Sequence, residues 1–103
     1  MTVKVIQPKG LLDGVNGNQL QQEVATTIQA GASQILINFE SVSFMDSSGL
    51  GALVIALKRV REAGRRLALC SLNDQVKMLL DLTDMDGVFE IFGSQEEFNR
   101  AAL

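Results

Sequence analysis

The run Gln34-Ile35-Leu36-Ile37-Asn38-Phe39 constrains this chain more than any other stretch. It is apolar and β-branched, with structure breakers on either side, so it reads as a strand buried on both faces. Helical patterns flank it. Leu20, Val24 and Ile28 recur at i, i+4 and i+8 and predict a first helix that stops at Gly31. Asn16 is its expected N-cap, with Gln19 completing a capping-box pattern. A second helix is expected from about Ser48 to Ala63, its core stripe formed by Leu50, Leu53, Val54, Leu57 and Val60, and Gly64 ends it.

The remaining segments alternate in the same way. Val3 and Val5 give a short strand that ends before Pro8, and Pro8-Lys9-Gly10 is a turn or edge element. Leu11-Leu12-Asp13-Gly14 leads into the first helix. Glu40 to Ser43 is a connection, after which Phe44-Met45 heads back toward the core. Arg66 to Ser71 is a strand, and Asn73 caps a third helix carrying Val76, Leu79, Leu80 and Leu82. Asp84 to Gly87 is a loop and Val88 to Phe92 a last strand. Ser94 with Glu97 forms a second capping box, opening a helix with Phe98, Ala101 and Ala102. Alternating strands and helices predict an α/β fold: a mostly parallel or mixed sheet of four to five strands, packed with four helices through right-handed crossovers. At 103 residues the chain is expected to form one domain over 1–103.

Charge and residue usage exclude several functions. A formal charge of −3 lacks the basic face that nucleic-acid binding requires. Lys58, Arg59, Arg61, Arg65 and Arg66 cluster, but cations suit the C-terminal end of a helix. The longest near-apolar run, Leu50 to Leu57, is too short to span a bilayer, and the N-terminus has no signal-peptide layout. A cytoplasmic protein without membrane insertion is expected. Cys70 lies in an apolar run and reads as a small buried hydrophobe. No histidine is present, which removes the usual general base and the commonest transition-metal ligand.

The functional signal is Phe44-Met45-Asp46-Ser47-Ser48-Gly49-Leu50-Gly51, where an extended segment turns into a helix. Such a junction presents free backbone N–H groups and short polar side chains. Asp46 or Ser47 is suited to cap the helix, and Gly49 and Gly51 allow close approach of the sheet or of a partner. Two glycines in the opening turns are unfavourable by about 1 kcal/mol each relative to alanine, so something must offset them. Ala52, Ile55 and Ala56 leave the first two turns apolar almost all round, more than one buried face needs. Catalysis fits these residues poorly. A serine nucleophile lacks a base, since neither Lys58 nor Lys77 is placed by spacing. Gly49-x-Gly51 lacks the lysine or third glycine of nucleotide loops, and while Asp13, Asp46, Asp84 and Asp86 could meet around Mg²⁺, Asp84 and Asp86 are better suited to cap and solvate a loop. A serine at a helix N-terminus is, however, a good phosphate acceptor. The helix dipole favours the added charge of about −1.5 to −2, which an apolar contact with another protein would not tolerate.

Val42-Ser43-Phe44-Met45-Asp46-Ser47-Ser48-Gly49-Leu50-Gly51 resembles the signature of the STAS family, most closely its bacterial anti-sigma factor antagonists. The likeness extends through the long helix, Gly64, the strand ending at Cys70 and Val76-Lys77-Met78-Leu79-Leu80. Gly10-Leu11-Leu12-Asp13 resembles the family's Gly-x-Leu-Asp element. The resemblance implies a STAS-like fold and a non-enzymatic regulator of transcription that works by partner switching, without a cofactor. Ser47 maps to the phosphorylated serine. Asp13 and Asp46 would flank it, and with Ser47, Ser48, Gly49, Leu50, Ala52 and Ile55 they make up the expected partner-binding residues. The implied partners are an anti-sigma factor with serine kinase activity, which binds the unphosphorylated form, and a metal-dependent serine phosphatase, which resets it. The alternative is a structural STAS subunit, as in a lipid-transport ATPase complex. Members usually start with a longer N-terminal hairpin, and here only a short first strand fits before Gly10. The expected state is a monomer or weak dimer.

Overall fold

The computed structural model describes residues 2–101. Its elements run β1 (Val3–Ile6), β2 (Gly10–Leu12), α1 (Gly14–Gln29), β3 (Gln34–Asn38), β4 (Val42–Met45), α2 (Ser47–Glu62), β5 (Arg66–Cys70), α3 (Asp74–Leu82), β6 (Glu90–Phe92) and α4 (Gln95–Ala101). Every strand pairing is parallel. Four strands form the main sheet in the order β1-β3-β5-β6, and β2 and β4 form a separate two-stranded ribbon. The expected α/β architecture with four helices is present.

The main sheet is a partition between two unequal cores. Ile6, Ile35, Ile37, Leu67 and Leu69 face α1, α2 and α3 and join the larger cluster. Leu36, Ala68 and Cys70 point the other way, toward Phe98 of α4. Side chains alternate across a strand, so the one apolar run of β3 feeds both layers, and all five of its residues are buried. On the second face Arg66 spans three strands. It donates to Glu90 Oε2 at 2.7 Å and to Gln34 Oε1 at 3.0 Å, and its guanidinium lies 5.4 Å from the Phe98 ring centroid. Two of the five residues of the basic cluster are thus tied into the fold, since Arg61 also donates to the Val88 carbonyl.

Several expected boundaries move. Helix α1 starts at Gly14, capped by Asp13 and not by Asn16. Asp and Asn are equally good caps, and here the Asp13 carboxylate takes the role, accepting from Asn16 N, while the Asn16 side chain donates to the Leu11 carbonyl. Leu11-Leu12, expected only as a lead-in, is strand β2, and β4 begins inside the predicted connection. Phe44 is 47% exposed, so only Met45 of that pair enters the core, and Leu82 is 75% exposed at the end of α3. Strand β6 is shorter than predicted, with Val88 and Phe89 in the preceding turn. Asn73 caps α3 as expected, and Ser94 accepts from Glu97 N. The reciprocal half of that second capping box is shifted by one residue, the Glu97 carboxylate accepting from Gly93 N. Ala102 lies outside the described residues. Cys70 is fully buried, and burial pushes its thiol pKa up. No helix among the described residues is long and apolar enough to cross a membrane.

Candidate functional site

Two strand-to-helix junctions lie side by side, because β2 runs parallel to β4 and each feeds directly into a helix. In the first, Asp13 Oδ1 accepts from Asn16 N at 2.9 Å. In the second, Asp46 Oδ1 accepts from Gly49 N at 2.8 Å. Both caps have extended backbone, as N-caps require. The junctions are joined directly by Asp46 N, which donates to the Leu12 carbonyl at 3.2 Å.

Gly49 is demanded by this join. A Cβ built on it would lie 1.9 Å from the Leu12 carbonyl oxygen, so no larger residue fits without moving β2. Further along, a Cβ on Gly17 would lie 2.5 Å from the Ala52 Cβ, which shows how closely α1 and α2 approach. Gly51 is different, with open space where its Cβ would be. Packing within the chain therefore explains one glycine of the pair and not the other.

Ser47 is the first residue of α2 and is exposed, as are Asp46 and Ser48. With Gly49 N bonded to Asp46, the Ser47 and Ser48 amides remain the ones that helix geometry leaves without an intrahelical acceptor. Between the first turns of α1 and α2 runs an open groove of about 570 Å³, lined by Asp13, Gly14, Val15, Ser48, Gly51 and Ile55 among others. Val15 is 70% and Ile55 44% exposed, so the groove has an apolar rim. Ser47 itself is outside the lining set.

The predicted partner-contact residues divide by burial. Asp46, Ser47, Ser48 and Ile55 are exposed, and Asp13 is half-buried. Gly49, Leu50 and Ala52 are buried against β2, the main core and α1. Gly49 and Leu50 shape the surface from beneath, while Ala52 also lines the floor of the groove. Asp13, Asp46, Asp84 and Asp86 are not assembled into a metal site, and the described residues contain no group of three or more His, Cys, Asp or Glu suited to one.

Periodicity and capping signals missed two contributors. Gly17 sits at the α1–α2 contact, and its only sequence signal is a glycine inside a helical pattern. Gln75 bonds both backbone groups of Met45: its Oε1 accepts from Met45 N at 2.8 Å and its Nε2 donates to Met45 O at 2.9 Å. No sequence pattern marks it, because the contact spans 30 positions.

The chain is similar in sequence and fold to known proteins. The sequence profile of the STAS domain matches residues 2–98. The chain is similar to the anti-sigma-B factor antagonist of Staphylococcus aureus, at 29% identity over 80% of this chain and 76% of that protein. It is also similar to the anti-sigma F factor antagonist of Paenibacillus polymyxa, at 27% identity over 90% of this chain and 80% of the relative. A crystal structure of a Thermotoga maritima protein, named as an anti-sigma factor antagonist, superposes with a TM-score of 0.87. It is 27% identical, and the match covers 96% of this chain and 86% of that one.

Proposed function

The chain belongs to the STAS domain family, and from that premise we propose that it is an anti-sigma factor antagonist switched by phosphorylation of Ser47. In the unphosphorylated state the ends of α1 and α2, with the Val15 and Ile55 rim, dock an anti-sigma factor that carries serine kinase activity. That docking frees the sigma factor or other client. The kinase then transfers phosphate to Ser47 and lets go, and a metal-dependent serine phosphatase restores the hydroxyl. The cycle runs in the cytoplasm, and the chain acts as a binding module without catalysing a reaction itself.

The observation that carries this reading is the placement of Ser47: exposed at the first position of α2, one residue before Ser48, which lines the groove that Val15 and Ile55 also line. The N-terminal dipole of α2 favours a phosphate there within the chain. A partner whose apolar surface covers the rim would have to desolvate the same charge, which is strongly unfavourable. One modification therefore has opposite effects on the free and the bound state, and that asymmetry drives release.

Incubation of the purified chain with ATP and an extract of its source cells, followed by intact-mass measurement, tests the proposal. A gain of one phosphate that disappears in Ser47→Ala supports it. A wild-type chain that gains none, or that binds its partner equally well as Ser47→Asp, overturns it in favour of a structural subunit.

A further inference from the structure

Strand β4 has a strand neighbour on one edge only, yet its other edge is not bare. Asn73 Nδ2 donates to the Val42 carbonyl at 3.1 Å and to the Ser43 carbonyl at 3.3 Å. Gln75 then bonds both the N–H and the C=O of Met45. A primary amide carries a donor and an acceptor much as a peptide unit does, so the opening of α3 stands in for a missing strand. Its position is set by the core. The Asn73 Oδ1 accepts from Val76 N at 2.9 Å, and Val76 and Leu80 are buried among core side chains.

The last bonded residue of that edge is Met45, two before Ser47. Asp46 is held from the opposite side by the Leu12 carbonyl. The junction that presents Ser47 is thus pinned between two anchors, β2 through Leu12 and α3 through Gln75. We propose that Gln75 is a positioning residue for the switch. Its amide bonds the backbone of Met45, two residues before Ser47. It fixes the end of β4 so that the Asp46 cap forms and Ser47 is presented in one geometry. This inference rests on the proposed phosphorylation of Ser47 for its functional consequence, and on the β4 geometry alone for its structural one.

The test uses Gln75→Leu, which removes both bonds at similar volume, and Gln75→Glu, which keeps the acceptor for Met45 N–H. Leu79→Ala serves as a comparison that loosens α3 packing without touching the amide bridge. The first readout is amide hydrogen exchange at Met45 relative to Ile35–Ile37 of β3, which report global opening. Gln75→Leu is expected to speed Met45 exchange relative to β3 on the order of 10-fold or more, as loss of two hydrogen bonds implies. Gln75→Glu falls between, and Leu79→Ala leaves the ratio unchanged. The second readout is the initial rate of phosphate gain at Ser47 with ATP and extract. It is expected to drop on the order of 10-fold in Gln75→Leu, with the kinase's KM for ATP unchanged. A Met45-to-β3 ratio that does not move, or a wild-type phosphorylation rate despite faster exchange, overturns the proposal. If the wild-type chain gains no phosphate at all, the Ser47 switch fails, and the exchange ratio alone decides whether Gln75 holds the junction.

Discussion

Gly49 and Gly51 stand two positions apart at the start of α2, and their surroundings predict opposite responses to the same change. Gly49→Ala would force a methyl group into the Leu12 carbonyl, displacing β2 or the helix. Overpacking of this kind destabilises by about 1–3 kcal/mol, and rigid backbone as the obstacle puts the expected loss at the upper end. Gly51→Ala meets open space and gains about 1 kcal/mol of helix propensity. Urea unfolding checks both as shifts of midpoint at constant slope. If the free space over Gly51 is reserved for a partner, Gly51→Ala is the variant that folds better and binds worse. Asp46 adds a third residue-level expectation. Asp46→Ala loses the bond to Gly49 N and about 1 kcal/mol of stability, whereas Asp46→Asn keeps an oxygen acceptor and most of that stability.

Between elements, the α1–α2 contact and the β5–β6 edge are held by different physics. The helices meet through small residues, with Gly17 against Ala52, so their separation is set by the absence of side chains. Gly17→Leu would wedge them apart, lower stability by about 1–3 kcal/mol and distort the groove lined by Val15 and Ile55. Denaturant unfolding measures the first effect, and chemical shifts at the groove the second. The sheet edge is tied by charge. Hydrogen bonding from Arg66 holds the Glu90 carboxyl below its ordinary pKa, and the same pairing raises that of Arg66. A depressed carboxylate contributes stability above its unfolded pKa and loses it as pH falls through the folded value. The stability gap between wild type and Glu90→Gln is therefore expected at neutral pH and closes on acidification below the usual carboxylate range. The side chains are 33% and 50% exposed, so solvent screening limits the gap to about 0.2–1 kcal/mol.

At the scale of the whole molecule, Cys70 reports on cooperative unfolding. Its side chain is fully buried in the second core beneath Phe98, and burial keeps the thiol protonated. A thiol reagent is expected to leave the native chain unlabelled and to modify one site per chain in denaturant. Labelling at the rate of a free thiol in native buffer would contradict the described packing. Cys70 was legible in advance because a lone cysteine in an apolar strand has few alternatives, and the same holds for β3, the α2 stripe and the Asn73 cap. Asp13 and Asn16 illustrate the opposite case: both residue types can cap a helix, and only the structure shows that Asp13 caps α1 while Asn16 bonds back to the Leu11 carbonyl. Strand β2 was hidden because three residues carry almost no periodicity, although Leu11-Leu12-Asp13-Gly14 mirrors Phe44-Met45-Asp46-Ser47. Alone, the sequence determined the alternation of elements, the buried central strand and the Asp-Ser-Ser-Gly junction, because these depend on neighbours within a few residues. The tertiary structure alone decided that β2 lies beside β4, that Gly49 seats on Leu12 and that Gln75 grips Met45. Those contacts join positions some 30 residues or more apart, and no local preference of either partner encodes the other's place.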